Sequence, residues 1–100
     1  MNNNIYSING IRSALDPVFS KYNIKKATLF GSYAKGTATS NSDVDLFLDS
    51  GLRGLSFVGL IEEIHSALGK DVDVFDVTHI IPGSLIYKEI NKDGVTIYET

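Results

Sequence analysis

Apolar residues recur at Ile8, Ile11, Leu15, Val18, Phe19 and Tyr22, at spacings of three and four. That period predicts an amphipathic helix at the start of the chain. Pro17 interrupts it. Either Asp16 caps a second short helix, or one helix kinks and continues. The stripe stays in phase across the proline, which favours one kinked helix. Ala27 to Phe30 then reads as a first strand. Gly31-Ser32 turns the chain, and Tyr33 to Lys35 has room for one helical turn before Gly36. Thr37 to Ser42 is a loop of small polar residues, and Val44 to Leu48 is a second strand ended by Ser50-Gly51 and Gly54. From Ser56 a helical pattern returns through Phe57, Leu60, Ile61, Ile64 and Leu68, with Glu62 and Glu63 outward and Gly69 as its C-cap. Val72, Val74, Phe75 and Val77 form a third strand. Pro82 is expected to open a last helix carrying Leu85, Ile86 and Ile90. Asp93-Gly94 is expected to be a tight turn into a closing edge strand, Val95 to Tyr98. The expected architecture is a small mixed sheet of about four strands with helices packed on it, of the α/β or α+β class.

Composition narrows what such a sheet can do. With 100 residues, one domain spanning 1–100 is the default. The net charge of −3 gives no general attraction for nucleic-acid backbones, so any nucleotide contact must be local. The absence of cysteine removes disulfides, zinc-thiolate sites and thiol catalysis, and fits a reducing cytoplasm. No apolar run has the roughly 18–20 residues of a membrane span. Met1-Asn2-Asn3-Asn4 lacks the basic and apolar regions of a secretion signal.

The segment "LFGSYAKGTATSNSDVDLFLD", Leu29 to Asp49, breaks the ordinary pattern. Asp43 and Asp45 stand at the head of an apolar strand. Residues two apart on a strand share a face, with Cα atoms about 6.5–7 Å apart. Two carboxylates this close repel, and each raises the other's pKa. A divalent cation such as Mg²⁺ takes oxygen ligands and relieves the repulsion. A pair of such ions is a common clamp for displacement at phosphorus. The third strand offers Asp71, Asp73 and Asp76 as a further acid. Asp73 lies between two valines and is the one least explained by solubility. Asp71 shares its face, and Asp76 lies on the other, where it can begin the exit turn.

Gly31-Ser32 supplies a complementary feature. A glycine at a strand end lets a ligand approach the backbone. The N–H groups of a helical turn starting at Ser32, with its hydroxyl, suit an anion, and Lys35 adds positive charge. A lone Gly-Ser is usually a turn, and a lone Asp-x-Asp is usually a solvated strand end. The combination Gly-Ser-x10-Asp-x-Asp matches by chance in roughly one chain in a thousand of this length, so the functional reading outweighs the bland one. His65 and His79 have no partner at metal-ligand spacing. His65 reads as a packing residue and His79 as a loop residue. No Ser-His-Asp arrangement and no G-x-x-x-x-G-K-[ST] phosphate loop are present.

These motifs resemble the signature of the polymerase-β-like nucleotidyltransferases. With "ALGKDVDVFDV" and "EINKDGVTIYE", the resemblance narrows to the minimal nucleotidyltransferase (MNT) family and runs from about Ile8 to Glu99. It implies that fold, with Gly31 and Ser32 on the nucleotide phosphates. It implies two Mg²⁺ ions, replaceable by Mn²⁺, on Asp43 and Asp45, with Asp73 as the third acid. The family usually has arginine where this chain has Lys35. A lysine keeps the charge and loses the planar fork. The resemblance further implies an antitoxin that transfers AMP from ATP to a HEPN-domain toxin, often to a tyrosine. Two other readings compete: a module that neutralises its partner by masking it, and a nucleotidyltransferase acting on a small molecule or an RNA end.

Overall fold

The computed structural model describes residues 5–100; the asparagine run read above for a signal lies outside them. The element order is α1 (Ile8–Lys21), β1 (Lys26–Phe30), α2 (Ser32–Lys35), β2 (Val44–Asp49), α3 (Gly54–Leu68), β3 (Val72–Asp76), a 3₁₀ turn (Val77–His79), α4 (Leu85–Asp93) and β4 (Val95–Glu99). The sheet order is β3-β2-β1-β4. β1 runs antiparallel to β2 and to β4, and β2 runs parallel to β3. A parallel pair needs a crossover, and α3 supplies it.

α1 starts at a Ser7 cap whose hydroxyl accepts from the Gly10 N–H. It continues through Pro17. The carbonyl that Pro17 leaves unbonded belongs to Ser13, four residues earlier. Ser13 is exposed, so water can satisfy it there. One continuous helix is therefore tolerated. α1 and α3 present Ile11, Leu15, Phe19, Leu60, Ile64 and Leu68 to the sheet. The sheet answers with Ala27, Leu29, Val44, Leu46, Leu48, Val72 and Ile97 in the same buried cluster. Strand alternation turns Thr28, Phe30, Asp45, Phe47, Asp73 and Phe75 to the opposite face.

α4 lies on that opposite face, where Ile90, Thr28 and Phe47 line a common cleft of about 280 Å³. Its start corrects one expectation. Pro82 sits in a turn, and the helix begins at Leu85, where the Ser84 hydroxyl accepts from the Tyr87 N–H. A side-chain cap satisfies an orphan donor, and this decides the boundary over the proline. Asp93-Gly94 is also not a tight turn. Asp93 is the last residue of α4, and Gly94 has φ −64°. Gly94 is needed for space: a Cβ there would overlap the Ile90 carbonyl and come within 2.8 Å of Thr28 Cγ2.

Smaller boundaries also differ: β1 and α2 each start one residue earlier, at Lys26 and Ser32, and β4 ends one residue later, at Glu99. α3 begins at Gly54, two residues before the periodic pattern. β2 runs one residue further, to Asp49. β3 ends at Asp76, so Val77 belongs to the 3₁₀ turn. Glu63 is not a purely outward residue: Lys21 Nζ lies 3.0 Å from its Oε1, and the Tyr22 hydroxyl donates to its Oε2. It ties α3 to α1.

Candidate active site

β2 and β3 are aligned so that Asp45 pairs with Asp73 and Val44 with Val72. β1 and β2 are aligned so that Phe30 pairs with Asp45. The residue after Phe30 is Gly31, and its backbone lies against the Asp45 carboxyl. A Cβ at Gly31 would overlap Asp45 Oδ2 and come within 3.1 Å of Asp45 Cγ. Gly31 also has φ 74° and ψ −152°, a combination that is essentially reserved for glycine. Glycine is thus required twice at this position, by conformation and by contact.

From Gly31 the chain enters α2. Lys35 N–H donates to the Gly31 carbonyl, and Thr37 N–H to the Ser32 carbonyl. The first N–H groups of a helical turn have no partner within it, so those at Ser32 and Tyr33 are not used inside α2. Gly36 closes the turn in the left-handed region, at φ 78°.

The loop before Asp43 is held from a distance. Lys70, 8% exposed, donates to the Ser40 carbonyl at 3.1 Å. Thr39 N–H donates to the Ser42 hydroxyl, and Val44 N–H to the Asp71 carbonyl. Asp43 is exposed just before β2, and Asp45 is half-buried within it. Burial first, then the charges of Asp73, Asp43 and Glu89, push the Asp45 carboxyl up to about 6. A hydrogen bond with Asp73 adds to the rise.

Gly31, Asp45 and Asp73 are therefore brought together, with Ser32 at the start of the adjoining turn and the Asp43 charge within reach of Asp45. Among the described residues, no three acidic or histidine side chains form a preassembled metal cage. Lys35 turns toward α4, where its Nζ lies 3.1 Å from Glu89 Oε1. Lys70 and Glu89 carried no signal in the sequence, because each acts on a residue 30 or more positions away.

Asp76 behaves differently from the acids at the site. It is 2% exposed, on the face covered by α1 and α3. Its Oδ1 accepts from the Ser50 N–H at 3.0 Å and the Ser50 hydroxyl at 2.6 Å. Its Oδ2 accepts from the Thr78 hydroxyl at 3.0 Å and the Thr78 N–H at 3.3 Å. Burial alone would raise its pKa. The Ser50 and Thr78 hydrogen bonds outweigh it and hold the carboxyl below its usual value. Asp76 begins the exit turn, and it also clamps the ends of β2 and β3. Asp76→Asn presents an NH₂ group to donors and should cost about 2–4 kcal/mol. A melting-temperature drop of roughly 10–25 °C should follow. Because the folded-state pKa is lowered, the clamp is fully present above the unfolded value of about 4 and is lost as pH falls through the folded one. The variant should therefore differ most from the native protein near neutrality and least in strong acid. Thermal melts of both across that range are the check.

The fold is that of the polymerase-β-like nucleotidyltransferases. Residues 13–100 match the family described as Polymerase beta, Nucleotidyltransferase, and the chain belongs to that family. It is 35% identical, over 91% of its length and 98% of the other's, to "Putative protein adenylyltransferase MJ0435" of Methanocaldococcus jannaschii. A second protein of that organism with the same description, MJ1379, is 32% identical over 77% of this chain and 80% of its own. Among solved structures, the chain is similar to a toxin–antitoxin crystallised with AMP-PNP. The TM-score is 0.71 and the identity 24%, over 89% of this chain and 73% of the other. It is also similar to a doubly substituted MntA toxin–antitoxin complex, with TM-score 0.66 and 26% identity over 95% and 75% of the two chains. A complex of MNT antitoxin with tri-AMPylated HEPN toxin from Shewanella oneidensis shares the fold, with TM-score 0.66 and 19% identity over 93% and 73%. Among the described residues, no helix is long and apolar enough to cross a membrane.

Proposed function

We propose that the chain transfers AMP from ATP to a hydroxyl of a partner protein, and that the partner is a HEPN-domain toxin for which it serves as cytoplasmic antitoxin. The observation that carries the reading is the seating of Asp45 between the Gly31 backbone and Asp73. In this reading the Ser32 turn accepts an anion beside a crowded pair of acids. The names of the relatives and the contents of the similar complexes support adenylyl transfer and such a partner.

The residues fit divalent metal. All the donors are carboxylate oxygens, which suit a hard cation; the Asp45 pKa is raised by burial first and then by neighbouring negative charge, and a cation would offset the second. Asp43, Asp45 and Asp73 would hold Mg²⁺, two ions by the family pattern. When bound, the metal withdraws electron density from the phosphate oxygens and neutralises the departing pyrophosphate. The chain's own part is to position and to move a proton. The Ser32 turn orients the β- and γ-phosphates. The acceptor oxygen attacks the α-phosphorus, a P–O bond forms, and the bond from the α-phosphorus to the bridging oxygen breaks. Asp73, the exposed member of the pair, takes the hydroxyl proton.

Incubation with Mg²⁺, ATP labelled at the α-phosphate and the HEPN partner should give a product heavier by one AMP per transfer. Mass spectrometry locates the label, and an unlabelled but neutralised partner would favour masking instead. Metal–nucleotide should also raise the melting temperature, since selective binding to the native state stabilises it by about 2.7 kcal/mol at a hundredfold excess over Kd. No rise at millimolar Mg²⁺–ATP would count against a working site.

A further inference from the structure

Lys35 is the last residue of α2 and lies three positions after Ser32. Residues three apart share a face of a helical turn, so its ammonium can serve the same anion as Ser32. In the structure it is engaged elsewhere. Its Nζ lies 3.1 Å from Glu89 Oε1 on α4, and the two side chains are 41% and 38% exposed. Asp93, one turn further along α4, adds a second negative charge within range of Lys35. The Glu89 charge is also felt at Asp45. The Glu89 carboxylate thus engages the one cation that the turn from Gly31 to Lys35 carries.

We propose that Glu89 is an internal competitor for the phosphate turn: its carboxylate occupies Lys35 in the nucleotide-free protein, and an incoming triphosphate displaces it. This rests on reading Gly31 to Lys35 as the phosphate turn. The exchange is physically easy. A half-exposed ion pair is a weak one. A lysine is a point charge on a flexible stem and can change partners by rotating. A triphosphate brings more negative charge than one carboxylate, so the exchange runs toward the nucleotide. Glu89 then sets the nucleotide affinity without belonging to the binding set, and displacement frees α4 from its tie to α2.

The test is the Kd of a non-hydrolysable ATP analogue with Mg²⁺, measured by calorimetry on the full chain. Glu89→Gln should tighten binding about three- to tenfold, because it removes both the competition for Lys35 and a like charge beside the phosphates. The gain should shrink between about 0.05 M and about 0.5 M salt, as expected for exposed charges. Lys35→Gln should weaken binding, and in that background Glu89→Gln should recover well under half of its original gain, measured as the logarithm of Kd. Glu89→Asp, which withdraws the carboxylate by one methylene, is the second variant should Glu89→Gln fold poorly; it should also tighten binding. Unchanged binding in Glu89→Gln overturns the proposal. Weaker binding overturns it too and makes Glu89 a ligand of the metal–nucleotide. An equal gain with and without Lys35 would show that Glu89 acts through bulk charge and not through the pair. If the native protein binds no analogue at millimolar concentration, the phosphate-turn reading fails first and this one falls with it.

Discussion

Asp45→Asn should abolish transfer while making the metal-free protein more stable. The first half follows from its position. Asp45 is the half-buried acid against the Gly31 backbone and in register with Asp73, so any cation or phosphate charge at the site meets it directly. Removing one such preorganised electrostatic contact costs about 10²–10³-fold in rate, and loss of the metal deepens this to about 10³-fold or more. The second half follows from its pKa of about 6, raised by burial and by Asp73, Asp43 and Glu89. The sign is that of a raised acid. Between the unfolded value of about 4 and the folded value, the native state holds a proton that the unfolded chain has lost. Above that window the ionised carboxyl penalises the fold by about 1–3 kcal/mol, after allowance for solvent screening. Native protein should gain stability as pH falls from 7 to about 4.5, while Asp45→Asn should show no such rise. The two melting curves should be furthest apart near pH 7–8 and converge near pH 4. A variant that melts far below the native protein at pH 7.5 would make Asp45 a structural residue. Asp73→Asn separates the roles further: transfer should fall about 10²–10⁴-fold through loss of the proton acceptor, with nucleotide binding weakened much less. Single-turnover rates at saturating metal–ATP measure that difference.

Gly31→Ala should be the most damaging neutral substitution in the phosphate turn. The backbone at Gly31, φ 74° and ψ −152°, costs a non-glycine residue about 1–3 kcal/mol. The added methyl would also overlap Asp45 Oδ2. Relief requires Asp45 to rotate or β1 and β2 to separate. Together these should cost about 2–4 kcal/mol of stability. Activity should fall about 10²-fold or more where the variant is still folded, since a displacement near 1 Å is enough for that. Gly36→Ala is the matched control. Gly36 also has a positive φ, 78°, but a Cβ there meets nothing within 4 Å. It should lose about 1–2 kcal/mol of stability and retain near-native turnover per folded molecule. Denaturant melts with initial rates for both variants decide the matter. Equal losses of activity would show that backbone strain, and not contact with Asp45, makes glycine necessary at position 31.

The elements themselves were legible because their signals are local. The stripe Ile11, Leu15, Phe19 and the alternation Val44, Leu46, Leu48 each specify a face from within a few residues, and those faces are the buried ones. Asp45 and Asp73 stood out as charges placed inside apolar strands. Asp76 was placed on the opposite face by strand alternation alone, and there it lies. The helix start at Leu85 is hidden in the sequence because proline is a loud signal and a serine cap a quiet one.

What the sequence determined by itself was the set of elements, the identity of the acids and the glycine that turns the chain before them, since periodicity and composition are written into neighbouring residues. What only the tertiary structure decided was which residues meet. The parallel register puts Asp45 beside Asp73, and the antiparallel one brings the Gly31 backbone onto Asp45. Ser50 reaches Asp76 across 26 positions, Lys70 reaches Ser40 across 30, and Lys35 reaches Glu89 across 54. No periodicity encodes such pairs. They follow from how strands and helices pack once the core is buried, and a charged side chain on an exposed face is free until that packing gives it a partner.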